Sequence, residues 1–406
     1  MKSLFAKIMK DFEGYAIGKM LRYLGEPGII SFAGGLPSGD VFPIDIIQKA
    51  AEKSLKEDWN RVLQYSPIPG ENELMQAVID YLKKDNIYIE PENIMITTSG
   101  QHGLDLVGRL FLEPKDIIVT DLPTFGGALA AFELEDAKYI AKEIEEDGSD
   151  IKGLEAGIEN LKTKGKNPKF IYVVPDFQNP SGITMSLEKR LALLSLSKKY
   201  GIPLIEDSPY RELRYRGEHL PSIYSLDKNQ GNVIGIYTFS KILCPGIRVG
   251  FNIGPSEVIN KFSFIKGANI LCTPKFNQEI CTAFLREYDL DAHFHKATKY
   301  YNEKLNFFLE AMEKNFPRDM GVEWTKPEGG LFLWITVPEE INTLDLFYMA
   351  IEEKVAFVPG DVFYPKGYRM YNTMRINFSY PTKDEIIRGV ERLSAVIKKY
   401  RAKKES

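Results

Sequence analysis

Cysteine and histidine are both scarce in this chain: three cysteines (Cys244, Cys272, Cys281) and four histidines (His102, His219, His293, His295) in 406 residues. They are too scattered for a zinc site, and an odd cysteine count argues against a disulfide framework, so a reducing, cytoplasmic setting is expected. Charge of one sign is missing as well. With 52 basic against 56 acidic residues the net charge is −4, and no basic field draws the protein to nucleic acid or to an anionic membrane. Long hydrophobic runs are absent too, since nowhere does one approach the ~18 residues of a membrane span. Lys2, Lys7, Lys10 and Asp11 break the first twelve residues, which leaves no signal-peptide core. Metals, disulfides and histidine bases are thereby removed as easy sources of chemistry, and the expected partner is a small molecule.

What is present is an ordinary globular composition, 44% hydrophobic, 27% charged and 12% aromatic, long enough for two to three domains. Short β-rich runs at Ile94–Thr97, Ile117–Thr120, Phe170–Val174, Pro203–Glu206 and Val233–Tyr237 alternate with helix-like segments. That alternation predicts an α/β fold, a mostly parallel sheet with helices on both faces. Leu187, Leu191 and Leu194 recur at helical spacing, with Lys198 and Lys199 in the last turn and Gly201 placed as the cap. Past about residue 290 the texture changes. Charged helical stretches lead to strand-like Gly330–Val337, then to Met374–Ser379, then to a helix with Ile386, Val390, Leu393 and Ile397 on one face. The division expected is an N-terminal arm (1–45) that joins a smaller α+β domain (291–406), with a large α/β domain (46–290) between them. Lys398–Lys404 is a basic helix end facing solvent.

Ligands of open α/β sheets bind at the carboxyl ends of the strands, so the polar residues there are the candidates for chemistry. Thr98-Ser99-Gly100-Gln101 opens a segment with Leu104, Val107, Leu110 and Phe111 at helical spacing. A helix N-terminus of small residues suits a phosphate, and the same residues equally serve as a plain structural cap. Another strand runs into Glu206-Asp207-Ser208-Pro209-Tyr210, and the next into Thr238-Phe239-Ser240-Lys241. A lysine amine forms a Schiff base with a carbonyl once it is unprotonated. The apolar stretch after Lys241 and the cation Arg248 seven residues on both favour the neutral amine.

Taken together, Thr238-Phe239-Ser240-Lys241 with Arg248, the Asp207-x-x-Tyr210 pair upstream and Asn179 within Pro175-Asp176-Phe177-Gln178-Asn179-Pro180-Ser181-Gly182 resemble a class I/II aminotransferase of pyridoxal-phosphate fold type I. The resemblance is to the branch holding 2-aminoadipate aminotransferases and the aminotransferase-like half of MocR regulators. It runs from Ser31-Phe32-Ala33-Gly34-Gly35-Leu36-Pro37 through Leu63-Gln64-Tyr65 to Met374-Arg375-Ile376-Asn377-Phe378-Ser379.

The resemblance implies pyridoxal 5′-phosphate as cofactor, with Lys241 holding it as a Schiff base and then moving the proton of the substrate α-carbon in ping-pong transfer. It implies that Asp207 pairs with the pyridine nitrogen and that Asn179 and Tyr210 bond the phenolic oxygen. It gives the phosphate to Ser99, Gly100, Gln101, Thr238, Ser240, Arg248 and, from the second subunit of a homodimer, Tyr65. Phe125 is to stack on the cofactor where the family usually has tyrosine. Arg375 is to take the substrate α-carboxylate, with Gly35 bringing the arm backbone close. Alternation sets Arg375, Asn377 and Ser379 on the face opposite Met374, Ile376 and Phe378.

Two departures bear on substrate. The phosphate turn reads Ser99-Gly100-Gln101 where Gly-Ser-Gln is usual. The Ser-x-x-Arg of aminoadipate enzymes falls on Tyr15 and Gly18, with Arg22 one turn on, so aromatic or aliphatic donors are expected ahead of 2-aminoadipate. The same lysine, aspartate and arginine also serve lyases, racemases and decarboxylases of this fold. A MocR-like effector domain is disfavoured because the arm begins within about 30 residues of Met1.

Overall fold

The computed structural model of the chain describes residues 4–10, 12, 14, 18 and 27–405. In chain order its strands are β1 (Ile30–Ser31), β2 (Ile94–Thr97), β3 (Ile117–Leu122), β4 (Lys138–Glu143), β5 (Phe170–Val173), β6 (Leu204–Asp207), β7 (Val233–Thr238) and β8 (Gly250–Ile253). Then come β9 (Glu323–Trp324), β10 (Phe332–Thr336), β11 (Val355–Ala356), β12 (Val358–Pro359) and β13 (Thr373–Asn377). Seven strands form one sheet in the order β2-β8-β7-β6-β5-β3-β4. Within it β8 runs antiparallel to β2 and β7, and the other pairs are parallel. The expected mostly parallel α/β sheet is therefore present, with each predicted strand within a residue or two of its observed bounds.

Strands β5 and β6 are buried at every position, as apolar runs covered by helices on both faces must be. Alternation divides the side chains of β5, β6 and the adjoining β7 between two cores. Phe170, Tyr172, Ile205 and Ile236 enter one, while Ile171, Val173, Leu204 and Val233 enter the other.

The helix Leu187–Tyr200 starts at the Ser186 cap and ends at Gly201, whose φ of +64° suits glycine. Its buried face differs from the expected one. Leu187 and Leu191 are 39% and 48% exposed, and Arg190, Leu193, Leu194, Leu196 and Ser197 face inward. A fully buried ion pair explains the rotation. The Arg190 guanidinium donates to Asp176 at 2.7 Å and to the carbonyls of Met185, Pro175 and Pro221. A buried charge so fully bonded is costly to expose, and it overrides the leucine pattern.

Towards the C-terminus, β12-β13-β10-β9 form an antiparallel sheet. The long helix Lys383–Glu405 packs on the helices Leu290–Asn315 and Thr343–Glu352 and on β1 and β11, with Ile386, Val390, Leu393 and Ile397 all fully buried. The arm is stitched to this region, since β1 pairs in parallel with β11 and Phe32 meets Phe308 edge-on at 5.1 Å.

Candidate active site

The carboxyl ends of β2, β5, β6 and β7, the arm and β13 converge on a cavity of about 210 Å³. Thirteen of the fourteen candidate residues line it: Gly35, Ser99, Gly100, Gln101, Phe125, Asn179, Asp207, Tyr210, Thr238, Ser240, Lys241, Arg248 and Arg375. Tyr65 does not, and is 75% exposed. Tyr15 and Arg22 lie outside the described residues. Gly18 is described but lies outside the cavity lining.

One end of the cavity is built for an anion. Ser99 caps the helix Gly100–Phe111, its hydroxyl accepting from the His102 N–H at 3.4 Å, so the free N–H groups of the first turn and the helix dipole face the cavity. The Gln101 amide donates instead to the Gly127 carbonyl at 2.7 Å, leaving the backbone N–H as that residue's contribution. From β7, the Thr238 hydroxyl donates to Ser240 Oγ at 2.9 Å, and the Ser240 N–H returns to Thr238 Oγ1 at 3.1 Å. Arg248 adds its charge 3.5 Å from Ser240 Oγ, from a backbone at φ +50°. Left-handed backbone is uncommon outside glycine and is held by surrounding structure, often at functional sites.

The other end holds a carboxyl group and an amine in unusual states. Burial pushes Asp207 up to about 7, opposed by a hydrogen bond from the Tyr172 hydroxyl at 2.9 Å. Lys241 Nζ donates to the Gly35 carbonyl at 2.8 Å. Burial first, then the charges of Arg375 and Arg248, bring its pKa down to about 8. The cation beside Lys241 in sequence is thus the lesser of two, and the greater reaches it only through the fold.

Arg375 adds a burial that the alternation of its strand did not show. Its strand face is indeed the one opposite Met374 and Ile376, yet both faces are buried and Arg375 is 1% exposed. The arm is the cause. The Asn377 N–H donates to the Phe32 carbonyl and the Ser379 hydroxyl to the Leu36 carbonyl, so the polar face lies against backbone rather than water. Arg375 donates to Asn179 Oδ1 at 3.0 Å and to the Ala33 carbonyl at 2.9 Å, with the rings of Phe332 and Phe363 at 4.3 and 5.0 Å. The Asn179 amide in turn donates to Tyr210 Oη at 3.3 Å.

Sequence reasoning missed Tyr172, Phe332 and the apolar lining of Leu104, Val174, Pro209 and Pro245. A signal for Tyr172 existed, since a hydroxyl in the buried run Phe170-Ile171-Tyr172-Val173 must find a partner. Among the described residues no group of side chains is arranged to hold a metal ion, and no helix is long and apolar enough to cross a membrane.

The family model "Aminotransferase class I and II" matches residues 28–393. The chain belongs to the class I and II aminotransferases. This aminotransferase is 37% identical to "Aromatic-amino-acid aminotransferase 1" of Thermococcus litoralis over 94% of its own length and 91% of the relative's. A solved kynurenine aminotransferase from Pyrococcus horikoshii superposes with a TM-score of 0.93 at 37% identity, covering 98% of both chains. An alpha-aminoadipate aminotransferase from Thermus thermophilus, solved with N-(5′-phosphopyridoxyl)-L-leucine, gives 0.90 at 33% identity over 99% of both.

The aminotransferase uses pyridoxal 5′-phosphate, and its own residues fit that group. Hydroxyls, a helix N-terminus and an arginine gather at one end as a phosphate dianion requires. A buried carboxyl raised by desolvation, as a heterocyclic N–H⁺ would complement, and a lysine whose pKa is brought down to about 8 stand apart from it.

Proposed function

We propose that this aminotransferase moves an amino group from an aromatic amino acid, with aliphatic and 2-aminoadipate-like donors served less well, to a 2-oxo acid such as 2-oxoglutarate. One observation carries the choice of donor. The cations lining the cavity among the described residues are Lys241, Arg248 and Arg375, and each has a task that any donor requires. Among the described residues none is left for a second, side-chain carboxylate, whereas Phe332, Leu104, Val174 and Phe125 offer apolar surface.

In this reading the phosphate is held by the N–H groups of Gly100 and Gln101, by Ser99, Thr238 and Ser240, and by the charge of Arg248. Phe125 stacks on the ring, Asn179 and Tyr210 bond its phenolic oxygen, and Asp207 keeps a proton on its nitrogen. Pyridoxal phosphate supplies an electron-accepting ring that stabilises the negative charge on the α-carbon. Arg375 clamps the donor α-carboxylate bidentately and so sets which α-bond stands across the ring. Gly35 lets the arm close over the donor. Lys241 Nζ, neutral in part at pH 7, takes the proton from the α-carbon and in the second half-reaction returns one to the carbon of the 2-oxo acid.

The same proposal divides the chain into an arm (1–45), a cofactor domain (46–290) and a smaller domain (291–406). It makes the protein a homodimer in which Tyr65 reaches the phosphate of the neighbouring site, supported by that side chain's exposure outside its own cavity. Three unpaired cysteines support a cytoplasmic location.

A donor panel with 2-oxoglutarate and pyruvate as acceptors tests the substrate. Phenylalanine or tyrosine should exceed 2-aminoadipate in kcat/KM by roughly tenfold or more, the cost of leaving a carboxylate without a partner in an apolar pocket. A preference for 2-aminoadipate would overturn the assignment.

A further inference from the structure

The carboxylate at the end of β6 is held by a residue of the neighbouring strand that takes no other part in the site. Parallel pairing of β5 with β6 sets Tyr172 beside Ile205, two residues before Asp207. The Tyr172 hydroxyl crosses to Asp207 Oδ2 at 2.9 Å. Both residues are buried, at 1% and 5% exposure. The tyrosine ring is fixed edge-on against Phe132 at 5.7 Å, and its backbone carbonyl accepts from the Thr120 hydroxyl at 3.0 Å. Burial and the neighbouring negative charge keep the phenol well above its ordinary range, so it remains a donor at every pH the enzyme meets. A donor fixed on one carboxylate oxygen favours the ionised form and leaves the second oxygen for another partner.

We propose that Tyr172 is a positioning residue for the reaction: its phenol orients Asp207 and keeps it ionised, so that the carboxylate holds a proton on the pyridine nitrogen of the cofactor. The inference rests on the reading of Asp207 given above. It assigns to β5 an electronic role besides a structural one. Without the phenol, desolvation acts on Asp207 unopposed, the proton moves from ring nitrogen to carboxyl, and the ring becomes a weaker electron acceptor.

The test is Tyr172→Phe, which removes one oxygen and keeps the ring packed on Phe132. Holoenzyme carrying cofactor labelled with ¹⁵N in the ring reports protonation of that nitrogen by its chemical shift, beside kcat, KM and the melting temperature. The expected result is a shift toward the unprotonated nitrogen and a fall in kcat of roughly ten- to a hundredfold, as for a lost hydrogen bond to a charged group, with donor KM nearly unchanged. A melting temperature that drops while the ¹⁵N shift stays put would make Tyr172 structural only and overturn the proposal. Asp207→Asn separates the two readings. If it moves the ¹⁵N shift and Tyr172→Phe does not, the role of Tyr172 fails alone; if neither moves it, the pairing of Asp207 with the nitrogen fails too. Should Tyr172→Phe not fold, 3-fluorotyrosine at position 172, a stronger donor of nearly the same shape, must raise the pH at which the ring nitrogen loses its proton, and an unmoved ¹⁵N titration counts against the proposal.

Discussion

At pH 7 an ordinary lysine with a pKa near 10.4 is neutral in roughly four molecules in ten thousand, whereas one at 8 is neutral in about a tenth. Lys241 is of the second kind, because burial and the charges of Arg375 and Arg248 all act against its protonated form. The sign fixes a pH dependence. Since the depressed pKa lies near 8, the reactive amine increases about tenfold per pH unit below that value and levels off above it. The rate of cofactor uptake by apoprotein, followed by stopped-flow absorbance, should rise in the same way between pH 6 and 8. Lys241→Ala should abolish the pH dependence and reduce turnover by at least roughly 10²–10⁴-fold. A flat profile in the unmodified chain would mean that the amine is not tuned as its surroundings require. Lys241 and Arg248 were legible in the sequence as a pair because one local run carries both; Arg375 was legible as a carboxylate site, but its larger influence on the lysine was not, since 134 residues separate the two.

At the scale of elements, the anion-binding end depends on how closely one strand approaches one turn. A methyl group built on Gly250 in β8 would lie 2.6 Å from the Tyr237 carbonyl and 2.9–3.0 Å from backbone atoms of Ser99 and Gly100. These neighbours are backbone and cannot swing aside. Gly250→Ala should therefore push the first turn of the helix Gly100–Phe111 out of place. The expectation is a loss of about 1–3 kcal/mol in unfolding free energy, the usual cost of overpacking, together with weaker cofactor retention, measured by denaturant unfolding and by dialysis. Cofactor affinity unchanged in a destabilised variant would dissociate the strand from the anion site. The helix start was legible, because Ser99 and Gly100 are a local signal. That β8 crowds it was not, because β2 and β8 are distant in the sequence and meet only through their antiparallel pairing in the folded sheet.

At the scale of the whole molecule, Tyr65 is the candidate that one chain leaves outside its own cavity. If a second copy completes each site, two inactive variants must complement one another. Tyr65→Ala subunits keep Lys241, and Lys241→Ala subunits keep Tyr65, so each mixed dimer holds one whole site. Random mixing should recover about a quarter of the wild-type activity, since half of the dimers are mixed and each has one working site of two. Coexpression under two affinity tags checks this, with about a quarter expected of the unfractionated pool and about half of the doubly tagged fraction, which holds only mixed dimers. Recovery no greater than the sum of the variants alone would place Tyr65 in its own subunit's site or out of the chemistry.

The sequence by itself determined the alternating strands and helices, the mostly parallel sheet, and the residues offered at the strand ends, Ser99, Asp207, Thr238, Ser240 and Lys241. All of these follow from periodicity and from neighbours a few positions apart. Tertiary structure decided the rest. The Arg190–Asp176 ion pair turned the helix Leu187–Tyr200 away from its leucine stripe. The arm buried the polar face of β13 and Arg375 with it. The pairing of β5 with β6 brought the Tyr172 phenol to Asp207. In each case a buried charge or polar group found its partner across the fold, and the cost of leaving such a group unpaired outweighs the local patterns on which sequence reading depends.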